Sequence, residues 1–207
     1  MAVYSNITRL SKNTLPSSQD YFLDANVWIY AMQDESLLNS YEILYFNFFY
    51  NLIDSQLLPQ PKIILPTLLF SEIVNTYLTR VAIKDYKAEQ GISQSTPLDF
   101  KKDYRSTNHY RDSYKKICDD IMAFRSSIVF LNDSSVVKNP PSYLNWNVKE
   151  FDFNDFFYYH ICKEYQKQNN ITIITNDGDF RISDIPIITV HKDILDLRGQ
   201  PVAGSIQ

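Results

Sequence analysis

Glycine and cysteine are scarce in this chain. Four glycines among 207 residues, none in a Gly-x-Gly-x-x-Gly run, cannot build the phosphate turn of a dinucleotide-binding unit, so no nucleotide cofactor is expected. Two cysteines cannot make a disulfide framework, and a chain of this length has core enough without one. Cys118 and Cys162 therefore read as buried reduced thiols, with no nucleophile signature around either. An excess of positive charge is also missing: 20 Lys and Arg against 24 Asp and Glu leave a net charge of −4, which argues against the broad cationic surface of a sequence-blind duplex binder. No apolar run approaches the roughly 18 residues of a membrane span, and residues 1–20 lack the apolar core of a signal peptide, so a cytoplasmic protein is expected. Histidine is limited to His109, His160 and His191, in three different segments and never at metal-ligand spacing.

What is present is an alternation of short apolar runs and helical stripes. After a polar arm over residues 1–20, Tyr21-Phe22-Leu23 reads as a strand ending at Asp24 and handing over to a helix at Asn26. Apolar residues at spacings of three and four predict a helix over 36–57, ended by Pro59 and Pro61. A strand over 62–66 is followed by a helical stripe through Phe70, Ile73, Val74, Tyr77 and Val81. Residues 84–107 lose this periodicity and read as a surface excursion, before a helix from about Asn108 to Phe124. Strands are expected over 128–131, 171–175 and 186–190, with a helix from Asp152 to Gln168 and a turn at Asn176-Asp177-Gly178-Asp179. Short continuous apolar runs are the mark of strands covered on both faces. The expected class is therefore α/β: a parallel sheet of about five strands flanked by helices on both faces, with a helical insertion at about 82–127. One domain would span 21–198, with a tail over 199–207.

The acids are placed informatively. Asp24 follows the first of these strands, Asp177 and Asp179 follow the clearest late strand, Glu72 lies about one turn into the helix after the second strand, and Asp155 opens the helix before the late strand. In an open α/β sheet ligands bind outside the carboxyl ends of the strands, so all five acids can face one rim. A site with oxygen donors only selects hard cations, Mg²⁺ or Mn²⁺ before zinc.

These motifs, Leu23-Asp24-Ala25-Asn26-Val27, Ser71-Glu72-Ile73, Asp152-Phe153-Asn154-Asp155 and Thr175-Asn176-Asp177-Gly178-Asp179-Phe180, stand in an order that resembles PIN-domain ribonucleases, including VapC-type toxins. The resemblance spans about residues 21–190, with a gap, and implies a PIN-like sheet between helices. It implies that Asp24, Glu72 and Asp155 are metal-binding catalytic acids and Asp177 the fourth, with Asp179 and Asp152 as secondary candidates. Asn26 and Thr175 match polar positions beside the acids, able to orient a carboxylate or a water. It further implies a metal-dependent endoribonuclease that hydrolyses RNA phosphodiesters with Mg²⁺ or Mn²⁺, and, in the toxin branch, an antitoxin protein as partner. A homodimer is also implied, since helices near the start of that fold mediate pairing. The alternative reading is a catalytically silent RNA- or partner-binding module on the same fold. A haloacid-dehalogenase-type phosphatase does not fit, because it needs a second aspartate where this chain has Asn26.

The insertion carries eight Lys and Arg between positions 84 and 116, interleaved with Tyr86, Tyr104, Tyr110 and Tyr114. Cations beside aromatics are what single-stranded RNA uses for phosphate contact and base stacking, which makes Lys101, Lys102, Arg105 and Arg111 substrate-contact candidates. A solvated face diluted by Asp85, Glu89, Asp99, Asp103 and Asp112 accounts for the same composition.

Overall fold

The computed structural model describes residues 4–132 and 153–200, and its centre is one parallel sheet. Six strands contribute: β1 (Ile7–Arg9), β2 (Asp20–Leu23), β3 (Ile63–Pro66), β4 (Ile128–Leu131), β5 (Ile171–Ile174) and β6 (Ile187–Thr189). They lie in the order β1-β6-β5-β2-β3-β4. Seven helices among the described residues surround it: α1 (Ala25–Ala31), α2 (Glu42–Ile53), α3 (Thr67–Tyr77), α4 (Ile83–Glu89), α5 (Asn108–Ala123), α6 (Phe153–Gln166) and α7 (Lys192–Leu195). The α/β class and the parallel sheet expected from the apolar runs are as found.

Both faces of the sheet are covered, and the side chains show by what. All four residues of β3 and of β5 are buried although successive side chains point to opposite faces. The neighbours Tyr21 and Phe22 of β2 must likewise point opposite ways. Tyr21 meets Phe48 of α2 edge-on with ring centroids 5.4 Å apart, and Phe22 meets Tyr158 of α6 at 5.3 Å. Helices α2 and α6 therefore pack on opposite faces of the same strand. Trp28 of α1 in turn packs edge-on against Phe49 of α2, burying two of the largest side chains together.

Four expectations are corrected. The segment read as a polar arm supplies the sixth strand: β1 pairs in parallel with β6, Ile7 opposite Ile187 and Arg9 opposite Thr189, with only Ile7 of its three residues buried. The helix expected from residue 36 begins at Glu42, because Asn39 Oδ1 accepts from the N–H groups of Tyr41 and Glu42 while Glu42 Oε2 accepts from the N–H of Asn39. That reciprocal cap stops the helix, and leaves Leu37 and Tyr41, counted in the apolar stripe, 71% and 65% exposed. The excursion expected from residue 84 is helical at its start. α3 passes through a π-helical turn, Leu78–Ala82, directly into α4. Finally, Cys118 is only partly buried, and both cysteines are free. Asp152, named above as a secondary acid, and residues 201–207 of the expected tail lie outside the described residues.

Candidate active site at the sheet's switch point

The chain runs outward from β2 through β3 to β4, then returns to place β5 on the other side of β2. The direction of winding reverses between β2 and β5, and it is there that a doubly wound sheet opens a crevice beyond its strand ends. The register of that pair sets Leu23 opposite Ile174. The next residues on each strand, Asp24 and Thr175, consequently face one another at the mouth of the crevice.

Asp24 occupies the N-cap position of α1, yet its side chain makes no capping hydrogen bond. Its Oδ2 instead accepts from Thr175 Oγ1 at 3.0 Å and, more distantly, from Asn26 Nδ2 at 3.4 Å. The residue is 6% exposed. Burial pushes its carboxyl up to about 6; the Thr175 hydroxyl opposes this, and the nearby charges of Asp177 and Glu72 add to it. A carboxylate kept in such a place without a helix to cap costs stability in its ionised form.

Thr175 joins the two strand ends. While donating to Asp24, its hydroxyl accepts from the N–H of Asp177 at 2.9 Å. Asp177 Oδ1 accepts in turn from the N–H of Asp179 at 2.8 Å, so the Asp177 carboxylate braces the turn and the Asp179 side chain points outward, exposed. Tyr45 of α2 locks the same ends from below. Its hydroxyl donates to the Thr175 carbonyl at 2.8 Å and accepts from the N–H of Val190 at 2.9 Å.

On the other side of the crevice, Glu72 of α3 is held by α6. Its Oε2 accepts from Tyr158 OH at 2.5 Å and from Asn154 Nδ2 at 3.0 Å. Asn154 and Tyr158 are four residues apart and share one helix face, and Asp155, three residues before Tyr158, projects beside them. Asp155 is 7% exposed. Burial and the hydrogen bond to Glu72 push the Tyr158 phenol far above its ordinary range, with the charges of Asp24 and Asp155 adding to the effect. Tyr158 is thus a permanent donor. Asp177 and Glu72 act on Asp24, and Glu72, Asp24 and Asp155 act on Tyr158, so the four acids lie within electrostatic reach of these two groups.

Carboxylates with amide and hydroxyl neighbours are the donor set of a hard cation, and these four acids are the residues that could take one. Among the described residues, however, no group of three His, Cys, Asp or Glu side chains stands as a ready metal-holding set. The acids rest in two hydrogen-bonded groups, Asp24 with Asp177 through Thr175, and Glu72 with α6. The burial of Asp24, with the charges of Asp177 and Glu72 nearby, is the feature a cation would relieve.

The insertion holds its cations at the surface and Tyr104 in its interior. Lys101, Lys102 and Arg105 are exposed on or beside the π-helical turn Phe100–Tyr104, with Lys102 Nζ 3.9 Å from Asp99, and Arg111 donates to Asn108 Oδ1 at 3.2 Å. Tyr104 is fully buried and ringed by Tyr86, Phe100, His109 and Tyr110, so it offers no surface for a base. The sequence reading missed Asn154, Tyr158 and Tyr45. For the first two a signal existed, since both fall within one helical turn of Asp155. Tyr45 gave none, being one aromatic among many in α2. Comparison with protein-family models, with curated proteins and with solved structures returns no match.

Proposed function

We propose that this chain is a divalent-metal-dependent endoribonuclease whose site is the rim formed by Asp24, Glu72, Asp155 and Asp177. The observation that carries the reading is Asp24: a buried carboxylate at the switch point of a parallel sheet, used by no helix cap, its carboxyl raised to about 6 with help from two neighbouring acids. Groups shifted by burial and like charge inside a crevice are characteristic of catalytic sites. The order of the four sequence motifs that resemble PIN-domain ribonucleases supports the same reading, and RNA is the substrate that resemblance carries.

Mg²⁺ or Mn²⁺ at these carboxylates would supply charge relief on the phosphate and a more acidic attacking water. The chain's own part is positioning. Thr175 fixes Asp24 and the Asp177 turn to each other, so the acids from β2 and β5 hold one spacing. Tyr158 and Asn154 fix Glu72 against α6 by donating to its Oε2. Asp155, buried in the first turn of α6, brings a further carboxyl to the same helix end as Asn154 and Tyr158. The toxin of a toxin–antitoxin pair is the biological setting the resemblance offers, and growth arrest on expression, relieved by a co-expressed partner, would support it.

One observation favours a second reading, a silent RNA- or partner-binding module: the acids stand in two bonded groups instead of a ready chelate. A single experiment separates the two. A mixed pool of structured and single-stranded RNA is incubated with Mn²⁺ or Mg²⁺ and wild-type protein, with Asp24→Asn, and with EDTA. Outer-sphere partners of metal sites alone are worth about ten- to a hundredfold in activity, so loss of the central acid should cost at least about a hundredfold. Equal cutting by the wild type, the variant and the EDTA sample would sink the nuclease reading.

A further inference from the structure

A second concavity opens on the same rim, one strand pair away from the acids. It has a volume of about 540 Å³ and lies beyond the carboxyl ends of β1, β6 and β5, between them and the start of α2. Its charge is opposite to that of the rim. Arg9 ends β1, and His191 and Lys192 follow β6. Among the described residues neither Arg9 nor Lys192 forms an ion pair. The one acid in the lining, Glu42, is engaged in the cap with Asn39. Asn39 spends its side-chain oxygen on that cap, so its amide N–H groups remain for a ligand. Tyr41 stands at the same wall, 65% exposed.

The cavity is joined to the acids by two contacts. Asn176, in the lining, donates to Tyr30 OH at 3.0 Å, and the Tyr30 phenol, raised chiefly by burial, senses both Glu42 and Asp24. His191 is wedged against the acid turn so closely that a Cβ on Gly178 would lie 2.6 Å from its Cε1. Its Nδ1 is buried with no hydrogen-bond partner. The ring thus lies between the cavity and the turn that carries Asp177.

We propose that this cavity receives the backbone phosphate of a single-stranded RNA whose neighbouring linkage lies at the acidic rim. Arg9 and Lys192 contact the phosphate, Asn39 donates to it, and Tyr41 stacks on the adjoining base. This inference rests on the ribonuclease reading for the identity of the ligand. It assigns to β1 a purpose beyond closing the sheet, because Arg9 reaches the rim only through that strand.

The test measures binding apart from cleavage. Anisotropy of a fluorescein-labelled oligouridylate is followed in EDTA at low salt for the wild type, for Arg9→Gln with Lys192→Gln, and for Lys163→Gln with Lys167→Gln, which makes the same charge change at the opposite end of α6. Each phosphate contact on a single strand contributes about 0.7 to the slope of log affinity against log salt, so the first double variant should lose about 1.4 in slope and about tenfold or more in affinity, while the second stays near wild type. Melting curves confirm that both variants fold, the second having lost the ion pairs of Lys163 with Asp184 and of Lys167 with Glu164. Wild-type affinity and slope in Arg9→Gln with Lys192→Gln would overturn the proposal and turn the cavity toward an acidic protein segment; equal losses in the two double variants would overturn it too. Because no metal is present, the outcome does not depend on catalysis: failure of Asp24-dependent cleavage removes the rim reading alone.

Discussion

The rim at the switch point and the insertion around α5 contain the same kinds of residue, acids, tyrosines and polar side chains, arranged in opposite senses. In the insertion the order is ordinary. Lys101, Lys102 and Arg105 face water, while Tyr104 is enclosed by four other rings and donates or accepts with His109 Nδ1 at 3.0 Å. At the rim the order is inverted: Asp24 and Asp155 are buried, and tyrosines serve as hydrogen-bond donors to the polar cluster. The lesson is about which region the fold is optimised to keep. The insertion holds its shape because of its interior, whereas the rim is held in spite of its interior, by Thr175, Tyr45 and Tyr158.

The largest expected effect tests the first half of that contrast. Tyr104→Ala should destabilise the protein by about 3–5 kcal/mol, the cost of emptying a large aromatic from a packed site. Tyr104→Phe, which keeps the ring and loses only the hydroxyl, should cost about 1 kcal/mol. Urea unfolding of both variants measures the difference. A Tyr104→Ala loss no larger than that of Tyr104→Phe would show that the ring cluster is not a core, and the two regions would no longer differ in kind.

The next effect has the opposite sign. Asp24 titrates near 3.8 when unfolded and at about 6 in the folded protein, so between these values the folded state binds the extra proton. Stability contributed by the protonated carboxyl is therefore full below about pH 4 and lost as the pH rises to about 6; two units correspond to about 3 kcal/mol. Asp24→Asn cannot ionise. Its unfolding free energy, followed by urea titration in EDTA from pH 4 to pH 7, should drop by about 3 kcal/mol less than that of the wild type. Parallel curves for the two proteins would mean that Asp24 is not the strained group of the rim.

The same contrast explains what could be read from the chain and what could not. β2, β3 and β5 announce themselves because strands buried on both faces are continuous apolar runs, and an acid immediately after such a run has few places to go but the rim. β1 has only Ile7 buried, followed by the exposed Thr8 and Arg9, and owes its place to backbone pairing with β6, which leaves no mark in composition. The passage from α3 to α4 was hidden for a geometric reason. A π-helical turn adds a residue to the turn and so rotates the buried face, and an apolar stripe read at a constant 3.6-residue period loses its phase at Leu78. For the candidate site, Asp24, Asp155 and Asp177 were legible from their positions at strand and helix ends, and Glu72, in the middle of α3, only from its place in the order of motifs. Their hydrogen-bond partners were not, since Tyr45 and Tyr158 reach the rim only through the packing of α2 and α6 on opposite faces of β2.

The smallest of the expected effects is the most discriminating, because it asks whether a tyrosine at the rim is there for packing or for Glu72. Tyr158→Phe keeps the ring against Phe22 and removes only the donor 2.5 Å from Glu72 Oε2. If Glu72 is a cation ligand oriented by α6, the variant should bind Mn²⁺ about tenfold more weakly by calorimetry and cleave RNA correspondingly less, as loss of outer partners does at metal sites. Its stability should change by about 1 kcal/mol, as for any single hydrogen bond. A change in stability of that size with Mn²⁺ affinity untouched would make Tyr158 a core residue like Tyr104, and would move Glu72 out of the metal-binding set while leaving Asp24 and Asp177 in it.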